Sequence, residues 1–359
     1  MMGKTVVVGM SGGVDSSVAA VLLQKQGYNV IGVMMNLWSE SGKASVNRCC
    51  TPDSMRLAKK VAARLDIPFY TLDVREQFYR QIVTYFIEGY QQGITPNPCI
   101  QCNRLIRWGA LLEFALSLGA DYFATGHYTR KVLDHQGVFH LLRAKDINKD
   151  QSYVLHILTQ ADLARTLFPL GEFTKAEVRQ MASDFQLPVA HRPESQDLCF
   201  LGGEDYRSFL VRHLENPPSP GPIIDTRGKS LGQHRGLPFY TIGQRKGLGV
   251  SVGQPIYVID KDIINNTLIV GSKEETRKKN FIVTRINWIQ GAPPAKEFEL
   301  AVKVRYLSPF LDAHLKVLED SSCLVELSQP YWDITPGQSA VFYQAEECLG
   351  GGMIQQVQS

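Results

Sequence analysis

The sequence lacks any apolar run approaching the length of a membrane-spanning helix, which excludes a helical membrane protein. It lacks a signal-peptide pattern too: the apolar stretch Thr5-Val6-Val7-Val8 runs straight into a glycine turn with no cleavage-type region after it. The expectation is a cytoplasmic protein with no membrane partner. Neither sign of charge dominates, since 38 Lys and Arg stand against 35 Asp and Glu for a net charge of +3. That balance permits a nucleic-acid partner only where basic residues gather on one face. The seven cysteines, at 49, 50, 99, 102, 199, 323 and 348, lack the spacing of a secreted disulfide framework, and reduced thiols fit them best. Internal repeats and low-complexity tracts are missing as well.

What is present is an ordinary globular mixture, 44% hydrophobic and 20% charged over 359 residues, long enough for two or three domains. The first half alternates strand and helix patterns. Val6 to Val8 reads as a buried parallel strand, 15 to 26 as a helix stopped by Gly27, and Asn29 to Met35 as a second strand. Helices follow at 53 to 65, 75 to 91 and 111 to 118, with strands at 67 to 72 and 122 to 125. This order predicts an α/β domain with a doubly wound parallel sheet. Residues 131 to 143 read as a hairpin turning at Asp134 to Gly137, and Thr174 with Glu177 as a capping box. Asn216 to Pro222 contains four prolines and reads as a linker. Beyond it the chain is rich in glycine and β-formers, and from about 280 short alternating runs predict a small barrel or sandwich.

The first strand ends in Gly9-Met10-Ser11-Gly12-Gly13-Val14-Asp15-Ser16-Ser17. Glycines let a backbone approach an anion, and the following helix offers free N–H groups and a positive dipole end. No Gly-Lys-Ser/Thr closes the loop, so it is not a Walker loop. It resembles the pyrophosphate (PP) loop of the ATP pyrophosphatase group, whose members expel pyrophosphate when a substrate oxygen attacks the α-phosphate. A plain glycine turn with an Asp/Ser cap is the simpler alternative, and strand before with helix after argues against it.

Thr95-Pro96-Asn97-Pro98-Cys99-Ile100-Gln101-Cys102-Asn103-Arg104 reads as a rigid loop before a helix, presenting Cys102 near the helix start. Cys199 lies in Glu194-Ser195-Gln196-Asp197-Leu198-Cys199-Phe200. A nucleophile with a distant thiol suits sulfur relay by persulfide exchange. Cys323 and Cys348 sit in apolar β patterns and read as core residues. Cys49 and Cys50 receive no role. Cys99 with Cys102 is half a zinc site, and no second half exists in the chain.

Several segments together resemble the bacterial tRNA-specific 2-thiouridylase family. They are the glycine loop, Asn97-Pro98 with Cys102, Ala124-Thr125-Gly126-His127-Tyr128, Lys149-Asp150-Gln151-Ser152-Tyr153 and Ser195 to Phe200. Tyr240 to Gly249, Arg305-Tyr306 and Pro336-Gly337-Gln338 complete the set, so the resemblance runs through the whole chain. It implies a catalytic α/β PP-loop domain (1–205), a small central domain (206–275) and a C-terminal β-barrel that contacts tRNA (276–359). It implies that ATP, with Mg, adenylates the C2 oxygen of the wobble uridine (anticodon position 34), that sulfur then attacks C2, and that AMP and pyrophosphate are released. By position, Gly9, Met10, Ser11, Gly12, Gly13, Val14, Asp15, Ser16, Met35 and Gly126 would hold ATP. Asn97, Pro98 and Cys99 would meet the target base. His127, Lys149, Asp150, Gln151, Arg305, Tyr306 and Gln338 would contact tRNA. Cys199 would carry the persulfide, Cys102 would help deliver it, and a Cys102–Cys199 disulfide would end the cycle. A cysteine desulfurase or sulfur-relay protein would supply the sulfur.

One departure stands out: the family pattern has Asp where this chain has Cys99. The missing carboxylate and third thiol raise the expectation that Cys99, Cys102 and Cys199 ligate a 4Fe–4S cluster with one open iron. The persulfide route and zinc are its rivals. Two other functions compete with thiolation. An ammonia-using ligase of the ATP pyrophosphatase type would need a glutaminase domain or ammonia channel, and neither is seen. An RNA-binding module with a vestigial nucleotide fold would be expected to lose Ser11, Asp15 or Cys102, and all are present. A chain cut near 275 is expected to keep the ATP site and lose tRNA affinity.

Overall fold

The computed structural model describes residues 3–40, 51–193, 198–250 and 252–358. Cys49, Cys50 and Glu194 to Asp197 lie outside the described residues. Four parallel strands come first: β1 (Thr5–Gly9), β2 (Asn29–Asn36), β3 (Phe69–Asp73) and β4 (Tyr122–Ala124). A hairpin follows, β5 (Arg130–Leu133) and β6 (Phe139–Leu142), then the short β7 (Thr166–Leu167). The first sheet has order β3-β2-β1-β4-β7, and every pairing in it is parallel.

The run Val6-Val7-Val8 has no exposed side chain because both faces of its sheet are covered. Val6 and Val8 pack with Val18 and Val21 of the Val14–Lys25 helix and with Val178 and Ala182 of the Lys175–Asp184 helix. Val7 points the other way, toward Trp108, Leu111 and Phe123. One strand thus feeds two cores, which is what doubly wound means physically. Gly27 follows the first helix with φ +87°, the left-handed stop expected of it.

One local expectation changes. The proline-rich loop does not run to Arg104. It ends at Asn97, whose side chain accepts from Ile100 N at 3.4 Å, and Pro98 is the first helical residue. Proline suits that position because its missing N–H would have no partner there. The helical segments Pro98–Cys102, Asn103–Leu111 and Leu112–Ser117 then follow without a break, the middle one with wider π-type turns. Cys99 and Cys102 are therefore helical.

The central unit contains β8 (Gly221–Asp225), β9 (Ser230–His234), β10 (Tyr257–Asp262) and β11 (Thr267–Gly271), ordered β10-β11-β8-β9. The C-terminal strands are β12 (Lys278–Trp288), β13 (Glu297–Lys303), β14 (Leu311–Val317), β15 (Cys323–Tyr331), β16 (Ser339–Gln344) and β17 (Glu347–Gln358). They run β12-β15-β14-β13-β16-β17, and β12 pairs again with β17 to close a barrel. Cys323 and Cys348 are fully buried, and burial pushes the Cys323 thiol up to about 12, so both are core residues.

The expected hairpin is present and does more than cap the α/β domain. β6 pairs with β17, Leu141 opposite Cys348 and Leu142 opposite Glu347, so the barrel sheet continues into the N-terminal unit. One apolar cluster takes in Val7, Trp108, Leu141 and Tyr153 from one side and Ile289, Val341, Tyr343 and Cys348 from the barrel. Removing the barrel would expose Leu141, Tyr153 and Leu155, each worth about 1.5–3 kcal/mol when buried. The expectation that a chain cut near 275 keeps its ATP site is therefore replaced. Such a chain should unfold or aggregate, with loss of the cooperative thermal transition. A soluble truncated chain that melts like the full protein and binds ATP would contradict the shared core.

Candidate active site

Gly12 is buried with φ +69°, and a Cβ there would meet Ser54 O at 2.3 Å, so only glycine fits. Gly13 is different: φ is −92°, and among the described residues the one atom near an added Cβ is Ser11 Oγ at 3.2 Å. Its open side is the space a phosphate would need. No side chain caps the N-terminus of the Val14–Lys25 helix, which leaves its dipole end and N–H groups facing the loop. The loop's hydroxyls brace it from within. Ser17 Oγ donates to Gly13 O at 2.8 Å, Ser11 N donates to Ser16 Oγ at 3.2 Å, and Gly13 N donates to Ser11 Oγ at 3.3 Å. From outside, Arg192 donates to Gly12 O at 2.5 Å and to Ser54 Oγ at 2.6 Å.

Asp15 places a carboxylate beside this anion-binding loop, where alone it would repel phosphate. It is neutralised and fixed. Lys175 Nζ donates to its two oxygens at 2.6 and 2.8 Å, and the Tyr128 hydroxyl donates to Oδ1 at 2.7 Å. Lys175 is buried and stands in the first turn of its helix, where the dipole disfavours a cation. That odd position was the one sequence signal for it. Gly126 closes the same corner: an added Cβ would sit 2.7 Å from Ser16 N and 2.8 Å from the Asp15 carbonyl carbon. Met10 is buried behind the loop and Met35 is half-buried at the end of β2.

The three cysteines do not converge. Cys99 is exposed, and it is near enough to Tyr306 of the barrel to help hold that phenol's pKa up, after burial. Cys102 and Cys199 are half-buried and border one apolar cluster, built on Phe78, Phe86, Phe200 and Phe209. Among the described residues no group of three His, Cys, Asp or Glu could hold a metal ion. The expected Cys₃ ligand set for an iron–sulfur cluster is thus not assembled here. Cys102 and Cys199 border one apolar cluster, and Cys99 is not part of it. No disulfide joins Cys102 to Cys199.

Several residues expected to touch tRNA are engaged inside the protein. His127 is buried, with Nδ1 2.8 Å from Thr125 Oγ1 and Nε2 2.9 Å from Arg107. Burial, then Arg107, holds its pKa well below the usual value, so the ring is neutral and Nε2 accepts from the guanidinium. Asp150 accepts from Ala144 N, Ser152 N and Ser152 Oγ, and Gln151 accepts from Tyr128 N. These contacts hold Tyr128 against Asp15. Gln338 donates to Thr95 O at 2.9 Å, and Thr95 N donates to Pro336 O at 2.9 Å, so the barrel grips the loop ahead of Asn97. Arg305 donates to Thr335 Oγ1 at 2.6 Å, and its Nε lies 2.9 Å from Asp333 Oδ1, out of line for a hydrogen bond. Lys149 and Tyr306 are half-buried. Sequence reasoning missed Arg192, Arg107 and the anchoring role of Lys175, because each acts on a residue distant in the chain.

A PP-type loop opening a doubly wound sheet, followed by two small β units, defines a three-part nucleotide-binding protein. Residues 4–203 match the tRNA methyl transferase HUP domain, 207–272 the tRNA methyl transferase PRC-barrel domain, and 278–354 the aminomethyltransferase beta-barrel domain. The chain is 49% identical over 352 residues to the tRNA-specific 2-thiouridylase MnmA of Chloroflexus aggregans, covering 97% of this chain and 98% of that one. It is 47% identical over 360 residues to the protein of the same name from Natranaerobius thermophilus, covering 99% and 98%. The chain belongs to the tRNA-specific 2-thiouridylase family.

Replacing Lys175 by Met should remove the cation paired with Asp15 beside the phosphate site and weaken ATP binding by roughly 30-fold or more, from about 2–5 kcal/mol for truncating one partner of a buried pair. Gly13→Val should keep the wild-type melting temperature and lose ATP binding. Calorimetric titration with ATP checks both, and wild-type affinity in either variant would contradict the assignment.

Proposed function

We propose that this protein is an ATP-dependent tRNA-uridine 2-sulfurtransferase acting on the wobble uridine. The observation that carries the proposal is the coexistence of a braced pyrophosphate loop with Cys102 and Cys199 on one apolar cluster. Pyrophosphate oxygens would lie on the loop's N–H groups and the helix N-terminus. A bound Mg²⁺ would offset the charge of the phosphate oxygens. The uridine C2 oxygen attacks the α-phosphorus and pyrophosphate leaves, which makes O2 part of a good leaving group. Asn97, Pro98 and Cys99, at the start of the helix that carries Cys102, would present the base.

Sulfur arrives as a persulfide on Cys199, loaded by a cysteine desulfurase or a sulfur-relay protein. The terminal sulfur attacks C2 and AMP departs, leaving a disulfide between Cys199 and the base sulfur. Cys102 thiolate attacks the Cys199 sulfur of that bond, forming the Cys102–Cys199 disulfide and releasing 2-thiouridine. An external thiol then reduces the disulfide. An iron–sulfur route would need Cys99 turned in toward Cys102 and Cys199, and the present side-chain arrangement does not supply that set. The matched domain descriptions speak of methyl transfer, a reaction with no use for a pyrophosphate loop and two relay thiols.

Cys102→Ser and Cys199→Ser should each reduce tRNA thiolation by roughly three orders of magnitude, while Cys99→Ala stays within about tenfold of wild type. The assay is ATP-dependent formation of 2-thiouridine by nucleoside mass spectrometry, with a persulfide donor and no oxygen. Methylated rather than thiolated uridine would refute the reaction. Iron-bearing protein that loses both iron and activity in Cys99→Ala would overturn the two-cysteine relay.

A further inference from the structure

Arg104 and Arg285 face each other across a cleft that the tRNA assignments above leave out. Arg104 lies on the helical rod that starts at Pro98, and Arg285 lies on β12. The cleft, about 410 Å³, is lined by both guanidiniums with Trp108, Ile157, Asp162 and Asn287. A second, smaller cavity, also lined by both arginines, is lined as well by Ile100, Gln101 and Asn97 at the start of the helix.

Three features of this cleft need an explanation. The charges are alike: Arg104 and Arg285 are both exposed on one cleft, and burial, then Arg285, holds Arg104 below the usual arginine pKa while the Tyr85 hydroxyl opposes this. Asp162, the one carboxylate among the described lining residues, accepts from Thr159 N at 2.9 Å and Thr159 Oγ1 at 2.7 Å in the capping box of its helix, which fixes its position. The backbone is strained as well. Arg285 has φ +52°, in a β-bulge where the β12–β17 register shifts between Thr284 and Asn287. The bulge is held in place because Asn287 Nδ2 donates to His156 O at 2.7 Å and Leu158 O at 2.9 Å. Two guanidiniums on one cleft are an arrangement whose like charge a bound anion would offset, and the positive φ fixes where Arg285 stands on that cleft.

We propose that Arg104 and Arg285 together clamp a backbone phosphodiester of the RNA substrate. This deepens the proposed function and rests on it. The second cavity is lined by Asn97, the residue expected to meet the target base. Five residues along a helix from Cys99 to Arg104 span about 7 Å, on the scale of one nucleotide step. A phosphate next to the target nucleotide would thus reach the clamp while its base is at the helix start. The clamp draws one arginine from the catalytic unit and one from the barrel, so RNA binding would stiffen the contact between them.

The test uses the full-length chain with Arg104→Gln, Arg285→Gln, the double variant and Arg285→Gly. Binding of tRNA is measured at several salt concentrations, together with ATP binding and melting without RNA. The double variant should lose about 10- to 100-fold in tRNA affinity at low salt, and its salt slope should flatten by about 1. Its ATP affinity should match wild type. Arg285→Gly, which suits a positive φ, should melt no lower than wild type. Unchanged tRNA affinity and slope in the double variant would overturn the clamp. So would a lowered melting temperature in all variants, which would assign the arginines to the fold. Retained tRNA binding with lost sulfur transfer from a protein donor would overturn it in favour of an acidic protein segment. If the wild-type chain itself binds no tRNA, the proposed function fails as well; failure in the double variant alone concerns only the clamp.

Discussion

The ion pair between Asp15 and Lys175 is the contact on which the nucleotide site depends. Its ends come from the first turns of two helices that pack on the same face of the parallel sheet. Tyr128 joins them from the segment after β4 and is itself held by Gln151. Without the cation, a carboxylate would sit uncompensated at the mouth of a loop meant for phosphate. With it, the local charge is balanced and the helix N-terminus can act on the ligand. The contact therefore serves folding and binding together.

A second constraint concerns the barrel. Thr95 and Gln338 lock the loop ahead of Asn97, and Leu141 pairs with Cys348 on the far side of the same core. The helix bearing Cys99 and Cys102 is thus fixed at its start by the C-terminal unit and along its length by packing of Ile100, Trp108 and Leu111. An enzyme that must bring a base, a nucleotide and a thiol to one point benefits from such a frame, because small displacements of reacting atoms cost large factors in rate.

The family-implied tRNA contacts divide on physical grounds. His127 and Asp150 are buried and bonded within the protein. Lys149, Gln151, Tyr306 and Gln338 are half-buried and retain surface that RNA can meet.

Much of this was legible in the chain itself. Val6 to Val8 followed by Gly12, Gly13 and a helix announces a parallel strand feeding an anion loop, because periodicity and glycine act locally. The Thr174–Glu177 box, the 131–143 hairpin and the core cysteines at 323 and 348 were legible for the same reason. Distance in the chain hid the rest. Nothing near Lys175 says that it meets Asp15, nothing near Leu141 says that a strand more than two hundred residues later pairs with it, and nothing near Arg285 names Arg104. Local sequence determined which segments are strands, helices and loops, since those depend on backbone propensity and pattern. Only tertiary structure decided which charges meet, which cysteines share a surface and which histidine is sealed inside, because burial and pairing exist only once distant segments pack.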